Sequence, residues 1–512
     1  MRTAPILLAT LLLAASATAP LTLASNAGDA CRGDGLPDPA CDALDGAAAT
    51  VMGSCPEIHD GVTVACGAAD GHTREAPFAC RFLHESLGIP DPLCKVASTV
   101  LDGAGTLCRN SIGNGPASCA LLDDHIPDPD AVAAHQQSWA YRALRLQQAL
   151  GGPVPLAKAQ LFGTHNSFNA NAYAPTLSGL DPNQQYSLTD QLRMGVRAIE
   201  IDVHYFPRLA HGGPWPIVCH GNGDVVDHVG CTNEVGLEVR LAELRAWLDG
   251  EGAGEVLYIQ IQDELVDEAG HDAGAALIEA HLGDLLYRPA DSGRTCEEGL
   301  PLDVSQDDIR AAGKQVLLHS DCGVGAAWPA LVHDYGTSLQ GDPGDACTYT
   351  PAQHAGNWTR IFEDGTMVGA LVGFGREAMT AQHVADATRC GVNRIDLDHL
   401  LPEDLRLAAH IWSWAEDQPD AGLGGDCAAH LADDRFHAAD CTRALRAACH
   451  GPGGWSFTAS VAWDEAAAAC AALGATFGVP RTGPQNEALA DAKDAAGVPA
   501  AWLDYRAGPD GW

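Results

Sequence analysis

Between about residue 155 and residue 420 the chain alternates short, β-rich apolar runs with stretches whose apolar positions recur at helical spacing, an order that predicts a parallel sheet with crossover helices. The runs are KAQLFG, VRAIEIDV, WPIVCH, EVLYIQIQ, KQVLLHS, TMVGALVG, NRIDLD and AAHIWSW. Between the third and fourth, VGLEVRLAELRAWLDG sets Leu237, Leu241, Leu244 and Leu248 on one helical face and closes on Gly250. Eight such runs over roughly 265 residues predict an α/β fold, a (β/α)8 TIM-type barrel over 155–420 whose active site lies at the C-terminal ends of the strands. Just upstream, AVAAHQQSWAYRALRLQQAL places Trp139, Ala143, Leu146 and Leu150 on one face before GGP stops it, predicting a connecting helix within 131–154.

The flanks read differently. Arg2 followed by PILLATLLLAASATAPLTLA has the pattern of a secretory signal over residues 1–25, so the chain is expected to be exported. All 18 cysteines follow that stretch and none forms a CxxC pair, which points to disulfides rather than zinc. Eight of them, from Cys31 to Cys119, lie 10 to 14 residues apart among the related phrases GLPDPACDAL, GIPDPLCKVA and HIPDPDAVAA. Residues 26–130 are therefore read as a disulfide-held module of short duplicated units. A formal charge of -38, from 29 Lys and Arg against 67 acids, excludes nucleic acid as a partner and leaves room for transient contact with a membrane surface. After DQPDAGLGGDC the composition turns alanine-rich, so a small α+β unit is expected over 421–512. There WDEAAAACAALGATFGVPRTGPQNEAL, with Trp463 and Cys470, resembles the front half of a C-type lectin-like domain, which implies a glycan or protein partner for this segment.

Chemistry gathers at the ends of the first three runs. His165 and Asn166, in GTHNSF, fall where the first strand ends; alternation along AIEIDVH turns Glu200, Asp202 and His204 to one side; the third run ends at His220. Inward carboxylates and imidazoles are costly unless they are used, and their convergence on one rim marks a candidate site.

With THNSF, Glu200-x-Asp202 and CHGN in this order, the barrel resembles the catalytic X region of phosphoinositide-specific phospholipase C and its calcium-dependent bacterial relatives. The resemblance implies a secreted phosphoric diester hydrolase that acts on a phospholipid by internal attack to a cyclic phosphate. It implies calcium held by Asn166, Glu200 and Asp202, with His165 and His220 as catalytic imidazoles. Hard oxygen ligands suit calcium, which activates the attacking hydroxyl; Glu200 also serves as base, His165 stabilises the phosphorane and His220 protonates the leaving alkoxide. Where the family has a further carboxylate on the fourth strand, this chain has Gln260 and Gln262 at the inward parity, so Gln260 is read as a neutral ligand with Asp263 as its substitute. His204 and His319, with Asp321, Asp396 and Asp398, are read as hydrogen-bonding residues around the site. Glycerophosphodiester phosphodiesterases share the barrel and a Glu-x-Asp pair and are the alternative enzyme reading, although their His-Arg-Gly motif is not found here. An extracellular binding protein on an inactive barrel is the alternative of another class.

Overall fold

The computed structural model describes residues 129–512 apart from 171, 174–182, 209–212, 220–234, 342–346, 349, 364–378, 403, 420–424 and 510. The expected signal peptide, the cysteine-rich stretch to Cys119, TMVGALVG and His220 lie outside the described residues.

Two helices lead in, α1 (Pro129–Gln136) and α2 (Trp139–Gly151). The Ser138 side chain caps α2 by accepting from the Tyr141 N–H. The buried face of α2 is Ala143, Leu144, Gln147 and Leu150. Gln147 is inside because its amide satisfies a distant backbone: Nε2 donates to the His410 carbonyl at 3.0 Å, and Oε1 accepts from the Trp412 N–H at 2.8 Å.

The main sheet follows as β1 (Leu161–Thr164), α3 (Leu188–Arg193), β2 (Ala198–Arg208), β3 (Gly213–Val218), α4 (Leu237–Asp249), β4 (Leu257–Glu264) and α5 (Glu268–Leu282). It continues with α6 (Gln306–Ala311), β5 (Val316–His319), β6 (Val332–His333), β7 (Ser338–Gln340), α7 (Pro351–Gly356), β8 (Trp358–Glu363), α8 (Ala381–Cys390), β9 (Arg394–Leu397) and α9 (Leu405–Ala409). Among the described residues the strand order is β6-β5-β4-β2-β1-β9-β8-β7, with β3 added to β2. Every pairing along that path is parallel.

Two of the eight expected strands are not barrel strands. WPIVCH lies antiparallel to β2, with Val203 opposite Val218. Residues 209–212 are too short a link for a parallel crossover, which takes about a dozen residues or more. AAHIWSW enters as the end of α9 and continues without strand structure. Its tryptophans pack outward, Trp412 and Trp414 lying edge-on to Phe436 at 5.9 and 5.8 Å between centroids. The sheet instead contains β6, β7 and β8, of which β6 and β7 are too short to show a period. The described pairings run from β6 to β7 as an open path.

The two faces of the sheet differ in chemistry. Phe162, Ile199, Ile201, Val203, Ile259 and Ile261 pack on one face against Leu241, Leu244, Ile278 and Leu282 of α4 and α5. On the other, inner face, Leu161, Ala198, Tyr258, Leu317 and Trp358 form an apolar plug closed by Leu156, Leu300 and Ile309. Polar residues begin directly beyond the plug. At Gly163, opposite Asp396 in the β1–β9 register, a Cβ would overlap the Asp396 carboxylate and crowd Ala198.

The C-terminal unit comprises β10 (Cys427–His430), β11 (Phe436–Ala439), β12 (Leu445–Gly451), β13 (Gly454–Val461), α10 (Trp463–Ala472), β14 (Thr476–Phe477), α11 (Gly483–Ala496) and β15 (Ala501–Arg506). Its sheet has the order β11-β10-β15-β12-β13 with β14 on β12, and disulfides Cys427–Cys441 and Cys449–Cys470 fasten it. Inside, the Lys493 ammonium donates to His430 Nδ1 at 2.8 Å, while His430 Nε2 donates to Asn486 Oδ1 at 3.1 Å.

Two predictions follow from this packing. Burial, with the Lys493 charge adding to it, pushes the His430 imidazole down to about 4, and burial does the same to His410. Both are neutral in the fold, so the unfolded chain binds more protons between pH 6.5 and 4, and stability falls as pH drops through that window by up to about 3 kcal/mol for each. Urea unfolding of His430→Gln should show a smaller loss from pH 7 to 4 than the wild type, with the difference near that size. Separately, Gly163→Ala should cost about 1–3 kcal/mol in the same measurement by overpacking against Asp396.

Candidate active site

His165 follows β1 and Asp398 follows β9, so both stand at C-terminal strand ends, on adjacent strands. Their side chains meet: His165 Nδ1 lies 3.1 and 3.2 Å from the two oxygens of Asp398, which is buried. Asn183 donates from Nδ2 to the same carboxylate at 3.1 and 3.2 Å. On the other side of the ring, the Asn166 amide Nδ2 is 3.0 Å from His165 Nε2. With Asp398 accepting at Nδ1 and the Asn166 NH2 facing Nε2, the arrangement fits a ring that carries its proton on Nδ1 and a lone pair on Nε2.

The turn that presents this pair is built by its neighbours. Asn166 has φ +42°, in the left-handed region that asparagine tolerates better than most residues. The Ser167 hydroxyl donates to the Thr164 carbonyl at 2.8 Å and accepts from the Glu200 N–H at 2.9 Å. Gln184 Nε2 donates to the His165 carbonyl, and Gln191 Nε2 to the Ser167 carbonyl, each at 2.8 Å. Thr164 and Ser167 of the THNS motif are thus braces for His165 and Asn166. None of Asn183, Gln184 and Gln191 stands out in the sequence, since they follow the motif without a period of their own.

Glu200, Asp202 and His204 share the inner face of β2, in register with Gln260, Gln262 and Glu264 of β4. Glu200 is 2% exposed, and Asp202 and His204 are fully buried. Glu200 Oε2 accepts the Asn166 N–H at 3.2 Å, and Oε1 accepts from Gln260 Nε2 at 2.5 Å. The Glu200 carboxylate also lies 3.9 Å from His165 Nε2. Asn166, Glu200 and Asp202 together offer hard oxygen donors of the kind that hold a calcium-sized cation.

Two expected ligands are placed otherwise. Gln260 turns its NH2 to Glu200, while its carbonyl accepts from Arg394 Nη1 at 2.7 Å, so the oxygen needed for a metal is engaged on the far side. Asp263 cannot replace it, because its register partner is Val203 and it faces the helices, where it pairs with His271 of α5 at 2.7 Å. His319 is buried in register with Gln260, 3.2 Å from the Ser338 hydroxyl and edge-on to Tyr335 and Trp358. His220 lies outside the described residues; Cys219, just before it, is buried and disulfide-bonded.

Sequence reasoning missed Arg394, a buried guanidinium paired with Asp396 at 2.7 Å. The signal was present: in NRIDLD the alternation that groups Glu200 with Asp202 also groups Arg394, Asp396 and Asp398.

A family model described as the Rv2075c PI-PLC-like domain matches residues 124–404. The Mycobacterium tuberculosis protein Rv2075c is 39% identical over 474 residues, covering 87% of this chain and 95% of its own. Among solved structures, the phosphatidylinositol-specific phospholipase C of Listeria monocytogenes is 15% identical, covers 52% of this chain and 97% of its own, and gives a TM-score of 0.36. A calcium-dependent phosphoinositol-specific phospholipase C from a Pseudomonas species is 15% identical, covers 48% and 91%, and gives 0.30. At those scores the family assignment rests on the sequence matches alone: the chain belongs to the Rv2075c PI-PLC-like domain family.

Proposed function

We propose that this protein is an exported phosphodiesterase of the phospholipase C type, cleaving the glycerol–phosphate bond of a phospholipid by internal attack. The observation that carries the reading is the His165–Asp398 pair, set beside Asn166, Glu200 and Asp202 at one end of a parallel sheet. A phosphodiester with a neighbouring hydroxyl needs a base for that hydroxyl, charge to balance the phosphoryl oxygens and an acid for the leaving alkoxide.

His165 supplies the base. Once the Asn166 amide turns from Nε2 to the substrate or cation, the freed Nε2 lone pair takes the proton of the attacking hydroxyl as the new P–O bond forms. Asp398 stabilises the resulting imidazolium and keeps the ring in the required tautomer, as the carboxylate of a catalytic triad does. Glu200, 3.9 Å from His165 Nε2, is the alternative base and in this reading serves the cation. The P–O bond to the glycerol breaks as His220 protonates the departing alkoxide, giving diacylglycerol and a cyclic phosphate. Asn166, Glu200 and Asp202 would hold a calcium ion, and when bound it supplies positive charge to the phosphoryl oxygens and lowers the pKa of the hydroxyl. With Gln260 and Asp263 both turned elsewhere, two carboxylates and one amide make up that donor set, and weak calcium affinity is expected. In this reading the barrel meets its lipid transiently at a membrane surface, and the C-terminal unit is a lectin-like module for a glycan or protein.

The reading is tested with phosphatidylinositol, lysophospholipid and glycerophosphodiester substrates, with calcium or a chelator, following products by phosphorus NMR. A cyclic phosphate is expected. His165→Ala and Asp398→Asn should each lower kcat by about 10²- to 10⁴-fold, the range for loss of a general base or its orienting carboxylate. Direct release of glycerol phosphate would favour the glycerophosphodiester reading, and no turnover by the wild type would leave only the binding protein. Chelation should abolish most turnover, with calcium restoring it only at high concentration; turnover indifferent to chelation removes the metal from the scheme.

A further inference from the structure

We infer that Arg394 is a positioning residue for Glu200, acting through the side chain of Gln260. The inference deepens the phosphodiesterase reading and rests on it only where turnover is the readout.

Arg394 opens β9 on the inner face and is buried. Its guanidinium has a fixed fork of donors, and two prongs are spent on residues of the site: Nε donates to Asp396 Oδ1 and Nη1 to Gln260 Oε1, both at 2.7 Å. Gln260 belongs to β4, which is separated from β9 in the sheet by β2 and β1. The Arg394 side chain therefore spans the inner face rather than pairing with a neighbouring strand. Gly163 makes room there: as the β1 residue opposite Asp396, it leaves the space that the Asp396 carboxylate fills.

The Gln260 amide has one orientation that works. Its carbonyl faces a guanidinium and its NH2 faces a carboxylate. Reversed, it would set donor against donor at Arg394 and acceptor against carboxylate at Glu200, and both groups are too deep for water to repair the mismatch. The charges at the two ends thus fix the amide, and the amide fixes Glu200 Oε1 while the Asn166 N–H holds Oε2. A glutamate at 260 would bring two carboxylates together, and a methionine would break both bonds. Glutamine is the side chain of this length that joins a buried cation to a buried anion with a hydrogen bond to each. What the sequence presents as a missing carboxylate is therefore a connector, and the fourth strand offers the site a donor rather than a ligand oxygen.

Two double-mutant cycles on the full chain, read by urea unfolding, test the connection. Arg394→Met and Glu200→Gln are combined first in the wild-type background and then in the Gln260→Met background. A coupling of about fivefold or more in the unfolding equilibrium constant is expected in the first, falling to within about twofold of unity in the second. Equal coupling in both backgrounds would mean that the charge acts directly through space, and no coupling in either would mean that Glu200 does not sense Arg394. Either result overturns the proposal. If Arg394→Met does not fold, Arg394→Lys replaces it in both cycles; its ammonium keeps the charge but not the fork, and the same collapse on Gln260→Met decides the matter. Turnover is the second readout: Arg394→Met should lower kcat by about tenfold with KM within about twofold, because the aim of Glu200 changes rather than the substrate contacts. A wild type without turnover sinks the phosphodiesterase reading, while the unfolding cycles still decide this one.

Discussion

A carboxyl group buried away from water has to be met by hydrogen-bond partners, and Glu200 is the point on which the site turns for that reason. One oxygen takes the backbone N–H of Asn166 and the other the side-chain amide of Gln260. These donors sit on β4 and on the turn after β1, so the Glu200 carboxylate ties three elements to one register. A one-residue slip of any of them would turn its inner residues toward the helices and leave the carboxylate unpaired. The strand pairings are therefore constrained by the polar face as much as by the apolar one.

The rest of the structure keeps that face rigid. Aliphatic residues from β1, β2 and β4 lock the outer face against α4 and α5, and the plug around Tyr258 and Trp358 closes the inner face at its N-terminal end. Polar groups gather toward the end where His165 and Asp398 stand, and Arg394 reaches them from the start of β9. Gln147 of α2 and the tryptophans after α9 then attach the leading helix and the C-terminal unit to the sheet from outside. Neither attachment uses the residues that line the site, so the flanking units can vary without disturbing the His165–Asp398 pair.

Much of this was legible in order along the chain. The apolar runs at β1, β2, β4, β5 and β9 are strands because their β-branched and aliphatic residues recur with the right period, and the inward set Glu200, Asp202 and His204 follows from alternation alone. The same alternation failed where length or partner mattered. WPIVCH has the composition of a barrel strand but too short a link behind it to be parallel. AAHIWSW has two alternating tryptophans, yet they alternate against Phe436 rather than within the sheet.

The sequence by itself determined the inner-face inventory, the position of the THNS turn and the absence of an acid at position 260, because side-chain direction in a strand depends only on parity. Tertiary structure decided what those residues do to one another. Asp398 could be placed at a strand end from sequence, but its contact with His165 depends on β9 lying beside β1, which no local pattern encodes. Gln260 looked like a weakened ligand until Arg394, 134 residues away in the chain, was seen to hold its carbonyl. Amide orientation is set by the charges at its two ends, and those charges are brought together only by the fold.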